Sequence, residues 1–167
     1  MRKNNRYIVH AALIAALYAT LTHAQNLLLP NSASMAIQFR VSEALCVLAF
    51  FTPAAIPGLA VGCFVFNMTY VHALPLDMLV GTAATLIAAW GMWLTRRLTV
   101  KKLPLLGLMM PVLANAILVG WELTAYIGGG FWMNALYVAI GEAAVMLTLG
   151  IMLCGAIRSR GLDKRLF

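Results

Sequence analysis

Three glutamates stand inside long apolar runs: Glu43 in "FRVSEALCVLAFF", Glu122 in "ILVGWELTAY" and Glu142 in "YVAIGEAAVM". Arg40 precedes Glu43 by three positions, so on a helix the two side chains share one face. Asn115 and Glu122 are seven apart and project from nearly the same helix face. The chemistry such groups do together is recognition. Carboxylates accept N–H donors and cations, amides donate and accept, and a guanidinium donates in a fixed fork. Hydrolytic and metal chemistry have no matching pattern. HExxH, GxSxG and a P-loop are absent from the sequence, and Cys46, Cys63 and Cys154 lack ligand spacing.

The composition says what kind of element must hold these groups. The chain has 167 residues, 63% hydrophobic and 10% charged, with a mean hydropathy of +0.89. A soluble domain of ordinary composition is about a quarter charged. A body this small has too much surface to hide so many apolar side chains, so lipid must be the solvent for most of it. The formal charge of +7 agrees. It comes from Arg2, Lys3 and Arg6, from Arg96, Arg97, Lys101 and Lys102, and from Arg158, Arg160, Lys164 and Arg165; Arg40 stands apart. Short basic clusters beside apolar runs are the positive-inside signal, and none is interleaved with aromatics as a nucleic-acid surface would be. The expectation is an all-α integral membrane protein with no nucleic-acid partner.

A hydrocarbon core takes roughly 20 helical residues to cross. Within a single membrane domain, 1–167, the candidate spans are 7–28, 37–51, 54–71, 76–94, 103–127 and 131–157. The second is short and stops at "FTPAAIPG", where Thr52 can cap the next helix with Pro53 in its first turn. "GGG" stops the fifth. "MRKNNR" and the run after it also resemble a signal peptide with "THA" as its cleavage site. That run is long for such a segment, however, and more membrane follows. With N- and C-termini cytoplasmic, six spans put all three basic clusters on one side, whereas five or seven would break that agreement.

This topology gives each polar residue a depth. Gln38, Arg40 and Glu43 open the second span from outside, while His23, Gln25 and Asn26 close the first. Asn67, Tyr70, His72 and Asp77 lie near the outer turn between the third and fourth. Glu122 and Asn134 lie near the outer ends of the fifth and sixth, with Asn115 and Glu142 deeper. The inner half is nearly bare. A carboxylate within the bilayer costs about 2.5–3.5 kcal/mol on insertion scales and so faces a partner or a cavity. The pattern predicts a polar cavity open to the outside, between helices, where small-molecule sites form.

Structural roles compete at several positions. Arg40 with Glu43 can be an interfacial ion pair, Asp77 can complement a helix dipole, and Asn67 can bond a neighbouring helix. His23 and His72 suit the interface. Tyr70, Trp90, Trp93 and Tyr126 suit aromatic belts, which leaves Trp132 as a pocket candidate. In the first span Ala11, Ala15 and Ala19 recur every fourth residue, and Ala12 and Ala16 form a second pair. Small residues at this spacing let another helix approach closely. Gly58 and Gly62 repeat the pattern, so packing inside the bundle competes with docking on another chain.

"IQFRVSEALCVLAFFTPAAIPGLAVGC", followed by "PVLANAILVGWEL" and "FWMNALYVAIGE", resembles the QueT family of substrate-binding S components of energy-coupling factor (ECF) transporters. The likeness covers nearly the whole chain. It implies a six-transmembrane-helix bundle of the ECF S-component type in the bacterial cytoplasmic membrane. The ligand site would lie near the outer face, with the loop of residues 25–36 as its lid. The binding set carried over by motif is Gln38, Arg40, Glu43, Asn115, Glu122, Asn134 and Glu142. The substrate implied is a queuosine precursor such as 7-aminomethyl-7-deazaguanine or queuine. Cobalamin or another vitamin competes, because S components of similar build bind different ligands. The partners implied are a transmembrane coupling subunit and two cytoplasmic ATPases, and the Ala11, Ala15, Ala19 stripe resembles the docking surface for the former. The chain itself would then be no enzyme and would hold no cofactor or metal. A stand-alone facilitator would need a polar path right through. A membrane enzyme would use Glu122 and Glu142 as an acid/base pair.

Overall fold

The computed structural model describes residues 3–30, 39–71, 73–99 and 104–163. The described residues form helices and turns, with no strand. Helix α1 spans Lys3–Leu28, a 3-10 helix Val41–Phe50, α2 Ala55–Thr69, α3 Asp77–Thr95 and α4 Leu105–Tyr126. Helix α5 runs Phe131–Ser159 through a π turn at Met146–Gly150. Helices α1, α3, α4 and α5 are long and apolar enough to cross a membrane, whereas the 3-10 helix and α2 are shorter apolar elements. The expected second span is thus a 3-10 helix of 10 residues. Its steeper rise of about 2.0 Å per residue stretches it to roughly 20 Å, where an α-helix would reach about 15 Å.

Helix ends follow local chemistry. Thr52 Oγ1 accepts the Ala54 N–H at 3.3 Å just before α2 begins. After α4, Gly128 and Gly129 adopt φ of +83° and +82°, a region open to glycine at no steric cost.

The 3-10 helix is the axis of the bundle. Helices α1 to α5 pack in chain order around it, and it touches every one of them. Its tight winding and the small side chains of Ala44, Cys46 and Ala49 suit that position, and nearly all of its residues are buried. Helix α1 packs only on α2 and the 3-10 helix among the described elements. A Cβ at Gly58 would fall 2.7 Å from the Ala11 carbonyl oxygen, and one at Gly62 would fall 2.8 Å from that of Ala15. The two glycines therefore let α1 lie directly on α2, as small-residue pairs do between membrane helices. Ala11 and Ala15 belong partly to this packing, while Ala12 and Ala16 are exposed.

Contacts also bring the start of α1 and Arg158 to the end of the 3-10 helix. The Tyr7 hydroxyl donates to the Pro53 carbonyl at 3.4 Å, and the Arg158 guanidinium lies 5.9 Å from the Phe51 ring centre. A Cβ at Gly107 would touch both Phe50 and Thr95, the neighbour of Arg96 and Arg97. At the opposite end His23 Nε2 sits 2.9 Å from Thr69 Oγ1.

Candidate ligand-binding site

The site begins on α1. Its buried residues Ile14, Tyr18, Thr22 and Gln25 recur at helical spacing and face the 3-10 helix. The Tyr18 hydroxyl donates to Glu43 Oε1. Thr22 Oγ1 lies 2.7 Å from Ser42 Oγ. Gln25 donates through Nε2 to the Phe39 carbonyl and accepts the Val41 N–H at 2.8 Å. Polar groups that would be costly in lipid thus pair across one seam.

Arg40, Glu43 and Cys46 follow at intervals of three, which in a 3-10 helix stack almost directly. Cys46 Sγ donates to Glu43 Oε2 at 3.2 Å, and the Glu43 N–H to the Arg40 carbonyl at 3.0 Å. Both oxygens of Glu43 are therefore engaged by this chain's own side chains. Arg40 occupies the N-cap position with an extended backbone and is turned inward, only 4% exposed.

Helices α2 to α5 supply the rest. Asn67 donates to the Asp77 carbonyl at 2.8 Å and so bonds the neighbouring helix. Asp77 Oδ2 accepts the Leu74 N–H at 2.7 Å, which ties the turn before α3 to its first residue. The Asp77 carboxylate stands beside Glu122 of α4, and Glu142 of α5 stands beside Asn115 of α4. Glu122 is 0% exposed and Glu142 3%. Both carboxylate oxygens of Glu122, Oε1 of Glu142, Nδ2 of Asn115 and Oδ1 of Asn67 have no hydrogen-bond partner among the described residues. A buried polar atom left unpaired costs about 1–3 kcal/mol, and more when charged. Four of the chain's 5 acidic residues are buried in this interior, and Arg40 is its one buried basic residue among those described. The arrangement suits a ligand that brings N–H donors or positive charge.

The structure brings together Arg40, Glu43, Asn115, Glu122 and Glu142 from the expected set. It adds Tyr18, Asn67 and Asp77. Asn134 stands apart, donating to Thr124 Oγ1 at 2.9 Å and to the Gly128 carbonyl at 3.0 Å, where it ties the α4–α5 turn. Trp132 is 82% exposed, away from the cluster. Gln38 and residues 31–36 of the expected lid lie outside the described residues. No group of three or more metal-ligating side chains occurs among the described residues.

Residues 8–159 match the family described as "QueT transporter". A protein named "Queuosine precursor transporter QueT" from Lactococcus lactis subsp. cremoris (strain MG1363) is 38% identical over 88 residues, which are 52% of this chain. The match spans 50% of that relative's length. No solved structure matches.

Proposed function

The chain belongs to the QueT transporter family, and from that premise we propose that it is the substrate-binding subunit of an ECF-type importer for a queuosine precursor. It is a multi-pass protein of the cell membrane. The observation that carries the reading is the buried polar cluster between the helices, with Glu122, Glu142 and Asn115 holding unpartnered polar atoms. A guanine-like edge offers adjacent N–H donors to one carboxylate, and 7-aminomethyl-7-deazaguanine or queuine adds an amine for another.

With N- and C-termini cytoplasmic, this cluster faces outward and the basic clusters face inward, as the positive-inside rule favours. A polar path right through the bundle is not what the apolar core around Phe50, Met92, Leu108 and Met146 suggests. Movement inward would then require a transmembrane coupling subunit and two cytoplasmic ATPases, since the sequence carries no nucleotide-binding motif of its own. Helix α1 is the surface we assign to the coupling subunit. Ile8, Leu13 and Leu17 project from it, and shallow apolar grooves of about 330 and 380 Å³ flank it on either side.

The test is identification of the ligand. Protein purified without its partners should carry, or bind on titration, a 7-deazaguanine, detected by mass spectrometry of the extracted ligand and by calorimetry. Cobalamin or another vitamin in its place would overturn the substrate. Retention of a polar solute flux by the isolated chain in vesicles would overturn the importer-subunit reading.

A further inference from the structure

We propose that Asp77 and Glu122 together form a seat for a protonated amine on the ligand, and that this seat makes the site selective for a cationic substituent on a flat, donor-bearing ring. The inference rests on the ligand-binding reading above and divides its site into two ends.

The four buried carboxylates are not equivalent. Glu43 is engaged at both oxygens by Tyr18 and Cys46. Glu142 lies deeper, beside Asn115, with one unpartnered acceptor and one unpartnered donor between them. Glu122 alone has both oxygens without a partner while being 0% exposed, and Asp77 is the carboxylate that interacts with it. Two carboxylates side by side in a low dielectric are stable together only with a proton or a cation between them. Arg40 is near but stands among all four acids, so its charge is shared. An ammonium group brings one positive charge and three donors, enough for both oxygens of Glu122 and the neighbouring carboxylate.

Rigid elements hold the pair. Asp77 is fixed by its bond to the Leu74 N–H and by the Asn67 amide on its carbonyl. One turn further along α3, Gly81 leaves room for Asn67, whose Nδ2 would lie 2.8 Å from any Cβ placed there. Glu122 and Asn115 are seven residues apart on one face of α4, about 10 Å along its axis. That separation suits a two-ring heterocycle whose edge meets Asn115 and Glu142 and whose short arm ends between Glu122 and Asp77.

The test is calorimetric titration of the purified, detergent-solubilised chain with 7-aminomethyl-7-deazaguanine and with 7-cyano-7-deazaguanine. The second keeps the ring and lacks the cation. Wild-type protein should prefer the amine at least tenfold. Glu122→Gln should lose about 10–150-fold in affinity for the amine, the scale of a charged hydrogen bond. The nitrile should change by less than about threefold, well under one decade of affinity. Asp77→Asn keeps an acceptor for the Leu74 N–H and should shift selectivity in the same direction, so it decides the matter if Glu122→Gln does not fold. Equal binding of both ligands by wild type, or equal loss of both in a folded variant, overturns the seat while leaving the substrate reading in place. Failure of wild type to bind either ligand overturns both.

Discussion

The Tyr18 hydroxyl donates to Glu43, and this bond joins α1, which packs only on α2 and the 3-10 helix among the described elements, to the helix that touches all the others. Tyr18 is 0% exposed and Glu43 1%. The Thr22–Ser42 pair and the two Gln25 bonds extend the same seam toward the end of α1. The wall of the candidate site is thereby fastened to α1, so displacement of either is felt by the other.

Removing the hydroxyl tests that fastening. Tyr18→Phe leaves Glu43 Oε1 buried without its donor, which should destabilise the fold by about 1–3 kcal/mol. Thermal unfolding in detergent should show a lower Tm for Tyr18→Phe. An unchanged Tm would mean that Glu43 needs no donor from α1.

Glu43 and Glu142 should respond differently to the same change. Glu142 Oε1 has no partner within the described chain, so Glu142→Gln should weaken ligand binding by about 1.5–3 kcal/mol, with little loss of stability. Glu43→Gln alters a carboxylate already engaged on both sides and should lower stability more than affinity. Titration and unfolding of the two variants in parallel would expose a reversed pattern, which would return Glu43 to direct contact with the ligand.

Much of this was legible in the sequence, for stated reasons. Apolar runs place α1, α3, α4 and α5 to within a few residues, because lipid demands length. The 3-10 character of Val41–Phe50 was not legible, since residues three apart share a face in either kind of helix. Glu122 and Glu142 stand out as carboxylates inside long apolar runs. Asp77 does not, because its place at a helix start suits the helix dipole equally well, and its carboxylate does hold the Leu74 N–H of the turn before α3. Tyr18 is a residue the sequence reading does not single out, although the spacing of Tyr18, Thr22 and Gln25 marks a polar face on that helix. The family motif groups Asn134 with the ligand set, and nothing in the motif shows the bond by which its amide holds the glycine turn.

The α1–α2 crossing gives a prediction about packing alone. Gly62→Ala would put a methyl group 2.7 Å from Tyr18 Cβ and 2.8 Å from the Ala15 carbonyl, and backbone atoms there have little freedom to retreat. Overpacking of this kind costs about 1–3 kcal/mol. The variant should unfold at lower temperature, and amide exchange along α1 should accelerate. Wild-type exchange in α1 would mean that the crossing relaxes without strain.

The docking surface can be separated from that crossing by choosing the right alanine. Ala15 is half-buried, with its carbonyl against Gly62, so Ala15→Trp disturbs the bundle as well as any outer partner. Ala16 is exposed on the side of α1 that carries Leu13 and Leu17. Ala16→Trp adds bulk where only a partner or lipid lies, and close approach is what holds membrane helices together. The isolated variant should keep the wild-type Tm and bind ligand within about twofold, less than 0.5 kcal/mol. It should no longer co-purify with a coupling subunit and ATPases, and ATP-dependent uptake in vesicles should be lost. Lowered Tm in Ala16→Trp would place that face inside the bundle, and normal uptake would remove α1 from the docking surface.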